Sequence, residues 1–170
     1  MEQKILEKIQ KWDSFENLEK TLREELNELK KDEKALYDAF YTDIAFGTGG
    51  LRGVLGVGTN RMNIYVVAKT TKGFVNYMIK KYPRVNEMGV VISYDCRKNS
   101  DVFSKVAANV IAASGIKVYI FESLRKTVLC VHLQKSNLIH LKFERLWDLK
   151  QACHLEQTLY HLYPQPFDLW

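Results

Sequence analysis

The chain of 170 residues lacks the features of several large protein classes. It has no run of about 18 apolar residues, which is the length a helix needs to span a bilayer. The first five residues lack the apolar core of a secretory signal. Three cysteines in 170 residues are too few and too scattered for a disulfide framework. We therefore expect a cytoplasmic protein with reduced thiols and no membrane partner.

The chain also has little excess charge, since its formal net charge is +5. Acids and bases alternate through the first half, which is typical of a solvated surface and not of a nucleic-acid-binding stripe. All four histidines lie after residue 130, and their spacing to the cysteines matches no usual zinc pattern. The sequence thus predicts neither a nucleic-acid partner nor a metal site.

Glycine, by contrast, is concentrated in one stretch: six of the nine glycines fall between residues 47 and 58. The stretch from 46 to 63 reads FGTGGLRGVLGVGTNRMN. Glycine permits positive φ angles and close approach of the backbone to a ligand. Arg52 and Arg61, with the hydroxyls of Thr48 and Thr59, add groups that bind oxyanions. The pattern fits a phosphate-binding loop, and it fits equally a glycine-rich turn between two strands.

Two common phosphate loops are excluded within this stretch. A Walker loop ends in Gly-Lys-Ser/Thr, whereas Gly58 is followed by Thr59 and Asn60. A dinucleotide fingerprint needs a third glycine where this chain has Arg52. Any phosphate-binding role must therefore use another design.

Residues 3–41 are predicted to be helical because apolar residues recur at three- and four-residue spacing. The helix that carries the main stripe has Ser14 as its expected N-cap. The stripe itself could pack inside the protein or bind a partner helix. Its members are Leu18, Leu22, Leu26 and Leu29. Shorter apolar patterns at 5–12 and 36–40 lie on either side.

A helix and then a strand–helix–strand unit are predicted after the glycine-rich stretch. Asn63 can cap a helix over about 64–81, with an apolar side formed by Val67, Thr71, Phe74, Val75, Met78 and Ile79. The β-branched run at 89–94 predicts a buried parallel strand. Ser100 is expected to cap a helix that Gly115 ends, before a second strand at 116–121. Such a unit pairs its strands in parallel.

Asp95 and Arg97 directly follow the first of these strands. Ligands of open α/β sheets bind beyond the carboxyl ends of the strands. Arg97 could therefore face a phosphate with Asp95 orienting it. Alternatively, Asp95 caps the next helix or pairs with Arg97 for structural reasons only.

Together these motifs resemble the first domain of the α-D-phosphohexomutase superfamily, the phosphoglucomutases and phosphomannomutases. The likeness rests on FGTGGLRG at 46–53, GTNRMN at 58–63, VVISYDCR at 90–97 and GIKVYIF at 115–121. The helical lead-in favours the phosphoglucomutase/phosphopentomutase-like branch. The resemblance implies an α/β fold: a helical lead-in, then a truncated mixed or parallel sheet with flanking helices.

The resemblance also implies an intramolecular phosphate transfer on hexose or pentose phosphates. Arg52 would stabilise the transferring group, and Thr48, Gly49 and Gly50 would shape that wall of the cleft. Asp95 and Arg97 would support them. For the full-length family the resemblance implies magnesium, a sugar bisphosphate activator and a sugar phosphate substrate.

One departure from the family is large. The family's nucleophilic serine lies in a Ser-His-Asn motif, and no Ser-His-Asn occurs in this chain, so no catalytic residue is assigned. The likeness stops near Arg125, where the composition also changes. We interpret 1–43 as the lead-in, 44–125 as the domain core and 126–170 as a divergent tail, as a changed reading frame or a truncated gene would produce.

The sequence therefore predicts a mutase fragment that is inactive alone. A non-catalytic sugar-phosphate-binding module and an interaction protein that uses its N-terminal helices are the alternatives. Exposed apolar surface is expected to favour self-association.

Overall fold

The computed structural model describes residues 2–47 and 50–121, with the backbone alone at 46–47 and 50. It also describes the backbone of two strands at 139–142 and 158–159. The chain divides into two units. The described residues of unit 1 are 2–47 and 51–66, and those of unit 2 are 50, 67–121 and the two later strands.

Unit 1 contains the three lead-in helices α1 (Gln3–Ser14), α2 (Lys20–Leu29) and α3 (Glu33–Phe40). The apolar stripes predicted for them are confirmed, because they form one buried cluster. Its helical members are Ile5, Ile9, Trp12, Leu22, Leu26, Leu36, Ala39 and Phe40. Leu18, predicted as part of the α2 stripe, joins the cluster from the residues before α2. Leu29 is partly buried against the cluster. Since the α2 stripe is buried in its own unit, it is not free to bind a partner helix.

The prediction that Ser14 caps α2 is wrong. Ser14 is the last residue of α1, and its hydroxyl donates to the carbonyl of Lys11 at 3.2 Å. The N-cap of α2 is Glu19, whose side chain makes no capping bond. Its backbone N–H instead donates to the hydroxyl of Tyr65 at 2.9 Å.

Tyr65 links the α1–α2 connection to the aromatic part of this core. Its hydroxyl also donates to the carbonyl of Asn17 at 3.1 Å. Its ring meets those of Trp12 and Phe15 edge to face, with centroids 5.5 and 5.8 Å apart. Trp12 makes the same kind of contact with Phe40. Such pairs stabilise a core beyond the area they bury.

The glycine-rich stretch begins with strands β1 (Phe46–Gly47) and β2 (Gly50–Leu51), which form a two-stranded sheet. Helix α4 (Ile64–Lys81) follows with the predicted bounds. The predicted cap is confirmed, because Asn63 Oδ1 accepts from the N–H of Val66 at 2.9 Å.

The predicted inner face of α4 is correct except at its edge. The buried members are Val67, Thr71, Val75 and Met78, and Phe74 is partly buried. Ile79 is 48% exposed, so its predicted burial is wrong. At about 100° per residue, Ile79 lies roughly 80° from the centre of the buried stripe, on the helix shoulder.

Unit 2 contains the predicted strand–helix–strand pattern. After the short α5 (Val85–Met88) come β3 (Val90–Ser93), α6 (Ser100–Ala113) and β4 (Val118–Ile120). Strands β3 and β4 pair in parallel with Val90 opposite Val118. The first three residues of β3 are fully buried, as its β-branched run predicts.

Two later strands complete a mixed four-stranded sheet in the order β5-β3-β4-β6. Strand β5 (Ile139–Lys142) is parallel to β3, and β6 (Thr158–Leu159) is antiparallel to β4. The predicted fold, an α/β domain with a mixed sheet and helices, is thus confirmed. Apart from the backbones of β5 and β6, the predicted tail at 126–170 lies outside the described residues. The division of the chain at 43 and 125 stays a prediction.

Among the described residues, no helix combines the length and apolar character that crossing a membrane requires.

We expect Tyr65→Phe to lower the free energy of unfolding by about 1–2 kcal/mol, because it removes both hydrogen bonds of the hydroxyl. Urea denaturation measures the loss. Tyr37→Phe is the matched control, since Tyr37 is exposed and stacks its ring on Tyr41. An equal loss in both variants would contradict the role of the Tyr65 hydroxyl.

Burial raises the pKa of the Tyr65 hydroxyl above its ordinary value of 10.0, and the hydrogen bond from Glu19 partly opposes this. The folded protein therefore holds the proton more tightly than the unfolded chain. The stability from Tyr65 is complete below pH 10 and is lost as the pH rises through the folded pKa. We expect the wild type to lose more stability than Tyr65→Phe between about pH 9 and about pH 11. Parallel loss in the two proteins would contradict the expectation.

Candidate functional site

The glycine-rich stretch separates into two parts with different surroundings. Residues 46–53 contain β1, β2 and Arg52, whereas residues 54–63 fold back on themselves and on the lead-in helices. We call residues 54–63 the anchored segment. Thr48 and Gly49, two predicted site residues, lie outside the described residues, and Gly50 is described in its backbone alone.

Hydrogen bonds within the anchored segment hold its two ends together. The N–H of Met62 donates to the carbonyl of Val54 at 2.8 Å, and the N–H of Gly56 donates to the carbonyl of Met62 at 3.2 Å. The amide of Asn63 donates to the carbonyls of Gly56 and Gly58 at 2.8 and 3.0 Å. These bonds give several polar groups of the segment partners within the segment itself.

Two acidic side chains hold the anchored segment against the lead-in helices. From α2, Glu25 Oε2 accepts from the N–H of Val57 at 3.1 Å. From α3, Asp38 Oδ2 pairs with Nη2 of Arg61 at 2.5 Å. Its carbonyl also accepts from the side chains of Asn60 and Arg61. Charge-assisted hydrogen bonds of this kind are about twice as strong as neutral ones.

Two glycines of the anchored segment serve packing. Gly58 has φ 123°, and a Cβ there would lie 2.4 Å from the carbonyl oxygen of Ala39. Gly56 has φ 149°, and a Cβ there would lie 2.4 Å from Oε1 of Glu25. Both positions need glycine because the segment lies directly on α2 and α3. Part of the glycine density is therefore structural. The segment joins β2 to α4, however, and is not the turn between two strands that the second interpretation predicted.

Two of the oxyanion-binding groups noted in the sequence are already engaged. Arg61 is tied to Asp38 and keeps only 17% of its side chain exposed. The hydroxyl of Thr59 is buried and donates to the carbonyl of Thr42 at 2.7 Å. Neither group is available to a phosphate while these contacts persist.

Arg52 has different surroundings. It is exposed, and within the described part of the chain its side chain makes no hydrogen bond or ion pair. The residues after it are also exposed, Val54 by 69% and Leu55 by 37%. The guanidinium of Arg52 thus faces solvent. Two residues later, the backbone of Val54 is held by its hydrogen bond with Met62. An arginine fork in such a position can bind a planar or tetrahedral oxyanion in bidentate fashion.

In unit 2, Asp95 and Arg97 form a local pair after β3. Asp95 Oδ1 accepts from the N–H of Arg97 at 3.0 Å, and its Oδ2 lies 3.5 Å from Nε of Arg97. The Arg97 side chain is 63% exposed. The pairing anticipated for these residues is therefore present.

The prediction that Ser100 caps α6 is wrong, and Asp95 does not cap it either. The N-cap is Asn99, in the left-handed region at φ 66°. Ser100 is the first helical residue, and its hydroxyl accepts from the N–H of Asp95 at 3.2 Å. This bond closes the loop that carries Arg97.

The predicted site residues are divided between the units: Arg52 belongs to unit 1, and Asp95 and Arg97 belong to unit 2. Glu25 and Asp38 were missed by the sequence analysis. Each lies on the polar face of an amphipathic helix and looks like an ordinary surface acid. Over 2–47 and 50–121, no group of three or more potential metal ligands occurs.

Comparisons with known proteins agree with these features. The family model for phosphoglucomutase/phosphomannomutase, alpha/beta/alpha domain I, matches residues 43–139, so the match continues past residue 125. A probable phosphoribomutase of Schizosaccharomyces pombe is 34% identical over 127 residues, which cover 74% of this chain and 22% of that protein. No solved structure matches the chain.

Two further relatives have similar names. The phosphopentomutase of Homo sapiens is 32% identical over 123 residues, covering 69% of this chain and 20% of that protein. A phosphoglucomutase of Staphylococcus epidermidis is 38% identical over 86 residues, covering 51% of this chain and 15% of that protein. The chain spans only 15–22% of the length of these relatives.

We expect Gly58→Ala to lower the free energy of unfolding by more than about 2 kcal/mol, because its Cβ would overlap the carbonyl of Ala39 at a positive φ. Gly73→Ala is the matched control. Gly73 lies inside α4 with nothing within 4 Å of a new Cβ, so alanine should stabilise by about 0.5–1 kcal/mol. Thermal and urea unfolding measure both changes. Similar effects of the two substitutions would contradict the assignment of Gly58 to a packing role.

Proposed function

The chain belongs to the phosphoglucomutase/phosphomannomutase family through its alpha/beta/alpha domain I, and on this basis we propose that it carries the phosphate-facing arginine of a sugar-phosphate mutase. The reaction class is intramolecular phosphate transfer on a hexose or pentose phosphate. The observation that carries the proposal is the contrast between two arginines of one stretch. Arg61 is consumed by Asp38, whereas Arg52 is exposed with no partner among the described residues.

Arginine suits this role because of what phosphoryl transfer requires. Charge spreads over the oxygens of the transferring group, so catalysis depends mostly on positioning and on cationic stabilisation. A guanidinium offers its donors in a fixed fork that matches two phosphate oxygens. The anchored segment supports the backbone next to Arg52, which limits the entropy lost when the side chain binds.

We assign supporting roles to the other predicted residues. Thr48, Gly49 and Gly50 keep the phosphate-binding role that the family resemblance implies for them. In unit 2, Asp95 orients Arg97 through the 3.5 Å contact with Nε, which suits the supporting role that the family resemblance implies for this pair.

We assign no residue as the nucleophile and none as a metal ligand. The 170 residues contain no Ser-His-Asn sequence. The potential metal ligands in the described part of the chain form no group of three, so we assign no ligand to the family's magnesium. We accordingly propose that the 170-residue polypeptide is inactive by itself and retains only part of the phosphate-binding surface. A cytoplasmic location is part of the proposal and is supported by the sequence, whose three scattered cysteines do not form a disulfide framework.

The binding test uses glucose 1,6-bisphosphate titrated into the 170-residue chain and followed by ¹⁵N NMR. Arg52→Ala should weaken binding at least about tenfold, because hydrogen bonds to a charged group contribute about 1.5–3 kcal/mol. Arg52→Lys should have an intermediate effect, since it keeps the charge and loses the fork. Arg84→Ala, which removes another exposed arginine, is the control and should leave the affinity unchanged.

Equal affinities of wild type and Arg52→Ala would remove the basis of the proposal. The second test is a coupled assay that converts glucose 1-phosphate to glucose 6-phosphate, with magnesium and the bisphosphate present. We expect no turnover above background. Measurable turnover that disappears in Arg52→Ala would overturn the inactivity of the isolated chain and leave the role of Arg52 intact.

A further inference from the structure

We propose that Glu25 of α2 is a positioning residue for Arg52, acting through the anchored segment. The inference rests on the proposed function, because it concerns how the same phosphate-binding arginine is held. Glu25 itself touches no part of the proposed ligand site. Its contacts are with the backbone of Gly56 and Val57.

Both oxygens of the Glu25 carboxylate meet the segment at close range. Oε2 accepts the hydrogen bond from Val57 N–H at 3.1 Å. Oε1 occupies the space in which a Cβ of Gly56 would stand, 2.4 Å from that position. The absence of a side chain at Gly56 is therefore what lets the carboxylate reach the backbone.

The carboxylate is itself held in place by the core of unit 1. Its neighbours along α2, Leu22 and Leu26, are buried in the cluster, which fixes the helix backbone on both sides of Glu25. The side chain of Val57 is fully buried in the same cluster. The hydrogen bond thus joins two backbones that are each anchored by apolar packing.

A short, continuous path leads from this bond to Arg52. Val57 follows Gly56, whose N–H is bonded to Met62, and Met62 in turn is bonded to Val54. Gly53 alone separates Val54 from Arg52, and two residues span at most about 7 Å. Fixing Val54 therefore confines the backbone of Arg52, whereas an arginine on a loose loop would lose more entropy when it binds phosphate.

Glu25 lies outside the part of the chain that the family model matches, whereas the segment it contacts lies inside. The match begins at residue 43, whereas Glu25 lies on the second lead-in helix. The lead-in helices are therefore more than an appendage, because one of them sets the position of the domain's phosphate-facing backbone.

The experiment compares four variants of the 170-residue chain with the wild type. Glu25→Ala removes the acceptor, and Glu25→Gln keeps a neutral one. Glu28→Ala is the matched surface control, since Glu28 lies on the same helix and contacts Lys31. Ile9→Val perturbs the same core without touching the segment, so it controls for a general loss of stability. Each protein is titrated with glucose 1,6-bisphosphate by NMR, and amide hydrogen exchange is measured at Gly56 and Met62.

We expect Glu25→Ala to speed exchange of the Gly56 and Met62 amides at least about tenfold and to weaken bisphosphate binding about fivefold. Glu25→Gln should recover most of both effects, and Glu28→Ala and Ile9→Val should leave the affinity unchanged. Faster exchange in Glu25→Ala with unchanged affinity would overturn the positioning role. So would an equal loss of affinity in Ile9→Val. Failure of the wild type to bind the bisphosphate through Arg52 is a different result, and it would overturn the proposed function itself.

Discussion

The contacts that Glu25 and Asp38 make with residues 54–63 are the constraint on which the described site depends. Glu25 binds the backbone at Val57, and Asp38 binds the side chain of Arg61. Both acids come from helices whose apolar faces share one core. The energy of burying those faces thus also helps to fix the course of residues 54–63, whose Val57 side chain is buried in the same core.

Strongly periodic elements were predictable from the sequence, and local end signals were less so. Helix α4 has the predicted bounds because Asn63 caps its N-terminus and its apolar spacing is long and regular. Pro83, two residues after its last residue, is a typical signal that a helix has ended. Serine before an apolar pattern misled the analysis twice. The hydroxyl of Ser14 donates to the carbonyl of Lys11, in the preceding turn of α1. The hydroxyl of Ser100 accepts from the N–H of Asp95, in the loop before α6. The side chain alone does not reveal which backbone group it will meet.

The candidate site was predictable as a region and not in its internal division of roles. Arg52 and Arg61 are chemically equivalent in the sequence, and only the approach of Asp38 in the fold distinguishes them. The same is true of the glycines, since Gly56 and Gly58 are explained by contacts with Glu25 and Ala39 that are distant in sequence. A carboxylate on the polar face of a helix carries no local sign that it will bind a loop. Glu25 was missed for that reason.

The contact of Gly58 with Ala39 bears on how this kind of domain can be shortened. Similarity to the family model begins at residue 43, four residues after the carbonyl against which Gly58 is packed. A recombinant fragment that begins at residue 43 would keep the glycine-rich stretch and lose the helices against which that stretch packs. The border of the family-model match therefore does not coincide with the border of the packed unit, because α2 and α3 lie before residue 43 and both contact residues 54–63.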